Sequence, residues 1–154
     1  MSDANLLEAR RITKMYGPKT VVNEVSLRVD RGEIVGVLGR HGAGKTTVLS
    51  MLNGQLKPDA GSVHLKGEVL STWPQADAVP GPSVLILDEP FAGQTPEKVD
   101  ELKSRILRLA AKGVGILFSD FDVRGALEFC DRAYILYEGK VLQSGRSSLL
   151  ITSN

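Results

Sequence analysis

A single cysteine, Cys130, leaves no partner for a disulfide and no thiol cluster for a metal, so burial of apolar surface must hold this chain together. A small buried hydrophobe is the role expected of that residue in a reducing compartment. Aromatic residues are scarce at 5%, and 19 Lys and Arg set against 18 Asp and Glu leave a net charge of only +1. No basic stripe interleaved with aromatics occurs, which removes the electrostatic case for a nucleic-acid partner. No apolar run approaches the roughly 20 residues of a membrane-spanning helix. The opening Met1-Ser2-Asp3-Ala4-Asn5 lacks the basic-then-apolar layout of a secretory signal. The expectation is a cytoplasmic chain, free or held at a membrane by a partner.

What is present reads as one domain over residues 1–154, long enough at 42% hydrophobic content to bury a core. Leu6 to Thr13 and Val25 to Val29 read as antiparallel strands around a turn at Gly17-Pro18. Buried strands are expected at Glu33 to Leu38 and Ser83 to Asp88, with further strands at Gly61 to Leu65 and Gly115 to Phe118. Val99, Leu102, Ile106 and Leu109 share one face of Pro96 to Ala111, which predicts an amphipathic helix stopped by Gly113. Helices are also expected over Thr46 to Asn53 and Val123 to Cys130, and a hairpin over Arg132 to Tyr137 and Lys140 to Gln143. Strands alternating with helices predict an α/β fold: a mostly parallel sheet with helices on both faces, plus an N-terminal antiparallel element.

Between the strand ending at Leu38 and the following helix stands Gly39-Arg40-His41-Gly42-Ala43-Gly44-Lys45-Thr46-Thr47. Glycines at that spacing free the backbone to curl, so that successive N–H groups face inward and cradle phosphate oxygens at a helix N-terminus. Lys45 is placed to reach the terminal phosphates, and the Thr46 hydroxyl suits Mg²⁺, which is held by few protein groups plus the phosphates. A second cluster, Asp88-Glu89-Pro90, ends a buried strand. By itself such a tripeptide is most often a turn. Ligands in open α/β sheets bind at the carboxyl ends of strands, so beside a phosphate loop Asp88 becomes a direct or indirect Mg²⁺ partner. Glu89 then stands where it can position or deprotonate an attacking water.

Tyr16 before a strand, the loop Gly39 to Thr47, Gln75, the run Val84 to Pro90 and the hairpin with Tyr137-Glu138-Gly139-Lys140 together resemble the ATPase subunit of ABC transporters. Phe91-Ala92-Gly93 and Asp122 to Leu136 look most similar to the lipopolysaccharide-export ATPase, with the branched-chain amino acid importers close behind. The resemblance implies a P-loop nucleotide hydrolase core that binds ATP and Mg²⁺. Carried over by position, it implies that Tyr16 stacks on adenine, that Lys45 and the loop amides hold phosphates, and that Thr46, Gln75 and Asp88 attend the metal. Glu89 would act as catalytic base. An exposed strand tyrosine and a plain loop glutamine are the alternative readings of Tyr16 and Gln75. The partners implied are a transmembrane permease subunit and a second ATPase subunit, with the chain peripheral on the cytoplasmic face of the inner membrane.

The chain departs from that pattern in four places. Only eight residues separate Gln75 from Val84, where the family carries a helical subdomain ending in a Leu-Ser-Gly-Gly-Gln signature; no such pentapeptide occurs. A helical subdomain is therefore expected to be missing between about 76 and 83. Phe121 stands where the family has a histidine, Thr95 where it has an aspartate, and His41 where it has an asparagine. Losing one preorganised donor to developing charge costs about 10² to 10³ in rate. Retained ATP–Mg²⁺ binding with weak or absent hydrolysis is the expected outcome, and a non-hydrolysing binding module the alternative.

Overall fold

The computed structural model describes residues 5–70, 73 and 83–152. Two sheets form the frame. Strands β1 (Asn5–Tyr16), β2 (Lys19–Asp30), β4 (Ala60–Leu65) and β5 (Glu68–Val69) make an antiparallel sheet in the order β2-β1-β4-β5. Strands β3 (Ile34–Leu38), β6 (Val84–Leu87), β7 (Gly115–Asp120), β8 (Arg132–Tyr137) and β9 (Lys140–Arg146) make the second, in the order β6-β7-β3-β8-β9. Its first four strands run parallel and β9 returns antiparallel to β8. Helices α1 (Lys45–Leu52), α2 (Pro96–Ala111), α3 (Val123–Leu127) and α4 (Ser147–Thr152) complete the described elements.

The parallel sheet is apolar on both faces because both are covered. Along β3, Val35 and Val37 point into a core shared with α1 and the antiparallel sheet, while Ile34 and Leu38 point into a second core with α2, α3 and α4. The same two-residue alternation sends Leu117 of β7 to the first core and Ile116 and Phe118 to the second. The expected architecture is therefore present, with much of one face covered by the antiparallel sheet as well as by a helix.

Several bounds differ from the sequence reading. Helix α2 keeps its expected limits, set by the Thr95 hydroxyl, which accepts the Lys98 N–H at 3.2 Å, and by Pro96 at the first turn. Strands β1 and β2 run further, to Tyr16 and from Lys19. A bulge hides this in the sequence: Arg11 and Glu24 both take left-handed backbone, at φ 51° and 52°, and the register slips around Ile12, so the alternation breaks mid-strand. Helix α3 stops at Leu127 rather than Cys130, where a turn takes over with the N–H groups of Phe129 and Cys130 both donating to Ala126 O. Strand β9 continues to Arg146 because backbone pairing with β8 holds a polar, glycine-containing stretch in line. Helix α4 was not expected. It docks through the Ser147 N–H to Asp131 O at 3.0 Å and through buried Leu150.

Candidate functional site

The site lies where β6, β7 and β3 end side by side. Their parallel register sets Leu87 against Phe118 and Leu38 against Asp120, so the residues that follow each strand emerge at one edge. Beyond Leu38 the chain turns at Gly39, where an added Cβ would lie 2.6 Å from Leu136 O, so only glycine passes. The Gly39 N–H donates to Asp120 O at 3.1 Å. Further on, Ala43 O accepts the Gly139 N–H at 2.9 Å, and Gly139 O accepts the Asn23 N–H at 2.8 Å. The turn of the β8–β9 hairpin thus clips the loop to β2. At φ 81°, with 2.3 Å between a built Cβ and Val21 O, Gly139 has no room for a side chain.

Lys45 opens α1 and is 4% exposed. Its ammonium donates to Gly39 O at 2.5 Å and Arg40 O at 3.1 Å, and stands 3.4 Å from Glu89 Oε2. One residue on, Thr46 Oγ1 donates to Asp88 Oδ2 at 2.8 Å. Glu89 has left-handed backbone at φ 47°, which turns its carboxylate back towards the loop. A residue that sequence reasoning passed over joins the two acids: Ser119 Oγ donates to Asp88 Oδ1 at 2.5 Å and accepts the Glu89 N–H at 2.8 Å. Ser119 is fully buried and follows the apolar run Gly115 to Phe118, but the sequence alone does not say which strand tip it faces. Burial raises the Asp120 carboxyl above its ordinary range, helped by the nearby charges of Asp122 and Glu89 and opposed by backbone N–H groups.

A cleft of about 250 Å³ is lined by Lys19, Val21, His41, Gly42, Gly44, Lys45, Thr46, Thr47 and Glu89. The structure therefore brings together most of the expected loop residues with Glu89, and brings Asp88 to Thr46. Gly39, Arg40 and Ala43 act through backbone carbonyls rather than by lining the cleft. Tyr16 ends β1, 52% exposed, with Lys14 Nζ 5.5 Å from the ring centroid. The ring does not line the cleft, although its hairpin partner Lys19 does. Gln75 lies outside the described residues.

The chemistry at this edge is a buried cation, a hydroxyl and two carboxylates of unlike surroundings, facing a backbone curl. Thr46 and Asp88 supply hard oxygens in contact with each other, a donor set that suits a small divalent cation completed by phosphate and water. A roomier cavity, about 450 Å³, lies elsewhere beside Glu8, Arg28, Arg132 and Tyr134. Its principal charge is already committed, because Arg132 forks onto Glu33 at 2.6 and 2.8 Å. Volume is therefore a poorer guide here than chemistry.

The family model described as "ABC transporter" matches residues 22–80. An uncharacterized ABC transporter ATP-binding protein of Rhizobium meliloti is 30% identical, with 96% of this chain and 83% of that protein covered. That similarity extends over 223 residues against 154 here, so a sizeable stretch of the relative has no counterpart in this chain. The lipopolysaccharide export system ATP-binding protein LptB of Acidithiobacillus ferridurans is 29% identical, over 92% of this chain and 90% of its own length. Among solved structures, a nucleotide-free ATP-binding cassette from an ABC transporter superposes with a TM-score of 0.86 at 16% identity, covering 97% and 96% of the two chains. The ADP conformation of an ATP-binding cassette of an ABC transporter gives 0.83, also at 16% identity, over 96% and 95%. At that identity the likeness speaks for the fold.

Proposed function

The chain belongs to the ATP-binding proteins of ABC transporters, and from that premise we propose that it binds ATP–Mg²⁺ at the edge of β3, β6 and β7 and hydrolyses it slowly, if at all, by itself. The observation that carries this reading is Lys45: a buried ammonium held by two loop carbonyls and Glu89, with Thr46 and Asp88 in contact beside it. Triphosphate oxygens compete for the Lys45 donors and meet the backbone of Gly42 and Gly44, which line the cleft. Thr46 and Asp88 would hold Mg²⁺, which when bound neutralises charge on the phosphates. Freed from Lys45, the Glu89 carboxylate orients the attacking water and takes its proton. Ser119 keeps Asp88 and Glu89 apart in role by bonding the side chain of one and the backbone of the other. The cleft is too small to enclose a whole nucleotide, so the base rests outside it, on the side of the Tyr16–Lys19 hairpin end.

Slow turnover follows from what the chain lacks. No Leu-Ser-Gly-Gly-Gln pentapeptide occurs, the segment expected to be missing lies between about 76 and 83, and the family model's match ends at residue 80, within that interval. A second ATPase subunit of the same kind would receive no signature contact from this one. Docking on a transmembrane permease at the cytoplasmic face would lose the surface the helical subdomain provides. Residues 1–154 then act as one nucleotide-binding core. The alternative, a module that holds nucleotide without turnover, is favoured by Phe121, whose side chain has no polar atom to offer a phosphate.

One experiment separates these readings: calorimetric titration with ATP–Mg²⁺ beside a phosphate-release assay on the same sample. Binding that Lys45→Ala weakens about 100-fold or more is the expected result, and unchanged affinity in that variant overturns the reading. A slow turnover that Glu89→Gln lowers a further tenfold or more supports the enzyme. Equal release by both proteins supports the binding module.

A further inference from the structure

The positive charge gathered beside Arg132 is not all spent on Glu33. In the β8–β9 register Arg132 stands directly opposite Arg146, and both line the cavity of about 450 Å³ where β1 and β2 meet β8 and β9. Like charges directly opposite on neighbouring strands work against the pairing. Glu33 neutralises Arg132, but Arg146 is exposed and, among the described residues, its guanidinium has neither an ion pair nor a hydrogen bond. Arg28 enters the same cavity from β2 with a loose partner, Asp30 Oδ1, 3.7 Å from its Nε. Glu8, the carboxylate of the lining, is engaged by Arg10 at 3.0 Å.

A second observation points the same way. Tyr134 is 7% exposed, and its hydroxyl accepts the Arg28 N–H at 3.1 Å and Arg132 Nη1 at 2.7 Å. Two accepted bonds use both lone pairs and leave the O–H proton, which no acceptor among the described residues takes. A buried donor without a partner, beside an unpaired guanidinium and a loosely paired one, is the complement of an oxyanion.

We propose that this cavity binds the phosphate group of a small phosphate monoester, at a site separate from the nucleotide cleft. The Tyr134 O–H and the guanidiniums of Arg146 and Arg28 donate to the phosphate oxygens, while Arg132, held by Glu33, fixes the Tyr134 hydroxyl. One free and one loosely paired guanidinium with a neutral donor suit a dianion better than a monocarboxylate. The cavity is wider than a phosphate group, and Ala9 and Leu27 in its lining leave the remainder to the organic part of the ester. Arg132 pairs with Val35 near the start of β3, whereas the phosphate loop follows the end of that strand, so the two sites lie towards opposite ends of the sheet.

The test titrates the intact chain with phenyl phosphate and with inorganic phosphate at fixed ionic strength in chloride, reading the backbone amide resonances of Ser144 and Gly145 against those of Gly42 and Gly44. Saturable shifts at Ser144 and Gly145 are expected with both probes. Benzoate, a monoanion carrying the same ring, is expected to bind there about tenfold more weakly than phenyl phosphate. Arg146→Ala is expected to weaken phenyl phosphate about tenfold at those amides and Arg28→Ala about fivefold, both side chains being exposed and dispensable to the core. Lys45→Ala is expected to leave the affinity read there unchanged. Shifts confined to Gly42 and Gly44, shifts that never saturate, or wild-type affinity in Arg146→Ala overturn the site. Benzoate binding as tightly as phenyl phosphate overturns its assignment to a phosphate monoester.

Discussion

Ser119 shows how much one side chain decides at this edge. Its hydroxyl is buried just beyond the apolar run of β7, and it is the shared partner of Asp88 and the Glu89 backbone. Ser119→Ala leaves a carboxylate oxygen and an N–H short of a partner, a loss of about 1–3 kcal/mol in folding stability. Release of the Asp88–Glu89 turn is expected as well. Chemical denaturation of the variant, with ATP–Mg²⁺ affinity measured alongside, checks both; full stability with unchanged affinity removes Ser119 from the site. The loop glycines, Lys45 and Thr46 stand out as candidates by spacing, and Asp88 by its place after a buried strand, because each is a local pattern of residue types. Ser119 does not, since nothing in the sequence of β7 says which residue of β6 lies beside it.

Between elements, the antiparallel and parallel sheets are tied by a polar network on their seam. Arg132 on β8 forks onto Glu33, donates to Arg28 O at 2.9 Å and to the Tyr134 hydroxyl at 2.7 Å, and that hydroxyl accepts the Arg28 N–H at 3.1 Å. Burial pushes the Glu33 carboxyl up, but bonds from Arg132 and the Asp30 N–H, with the charges of Arg132 and Arg28, outweigh it and hold the group below its ordinary 4.5. Arg132 is correspondingly raised, chiefly by its bonds to Glu33. A depressed carboxylate contributes stability that is present in full above the unfolded-state value and lost as pH falls through the folded one. Stability is therefore expected to drop as pH is lowered from about 4.5, the ordinary value of this carboxyl. Glu33→Gln should cost about 2 kcal/mol at pH 7 and show a flatter acid limb, measured by denaturation midpoints from pH 7 to pH 3. An acid limb as steep as wild type would place the titration elsewhere. The bulge at Arg11 and Glu24, by contrast, was illegible in the sequence: it breaks a two-residue alternation from within, and only the pairing of β1 with β2 reveals the strands as continuous.

For the molecule as a whole, the two cores close around β3, β7 and α1 without any contribution from the segment that the relatives carry and this chain lacks. The fold thus closes without the stretch that the relative carries. No helix among the described residues is long and apolar enough to cross a membrane. Nucleotide-driven pairing of two copies is expected to be lost along with the signature. Sedimentation of Glu89→Gln with and without ATP–Mg²⁺ is expected to return a monomer in both, and a nucleotide-dependent dimer would show that the contact is made by other residues.

Composition, periodicity and the order of a few residue types were enough to establish a parallel α/β sheet, a phosphate loop entered from β3, and acids at the tip of β6. Those features are local: each needs only the alternation of one strand, the stripe of one helix or the backbone freedom of one turn. The tertiary structure alone decided that Ser119 joins the two acids, that the β8–β9 hairpin clips the loop to β2, and that Phe121 lies on His41. Each of these pairs residues far apart in the chain, or on different strand ends, and only packing at the shared edge of the sheet brings them within contact distance.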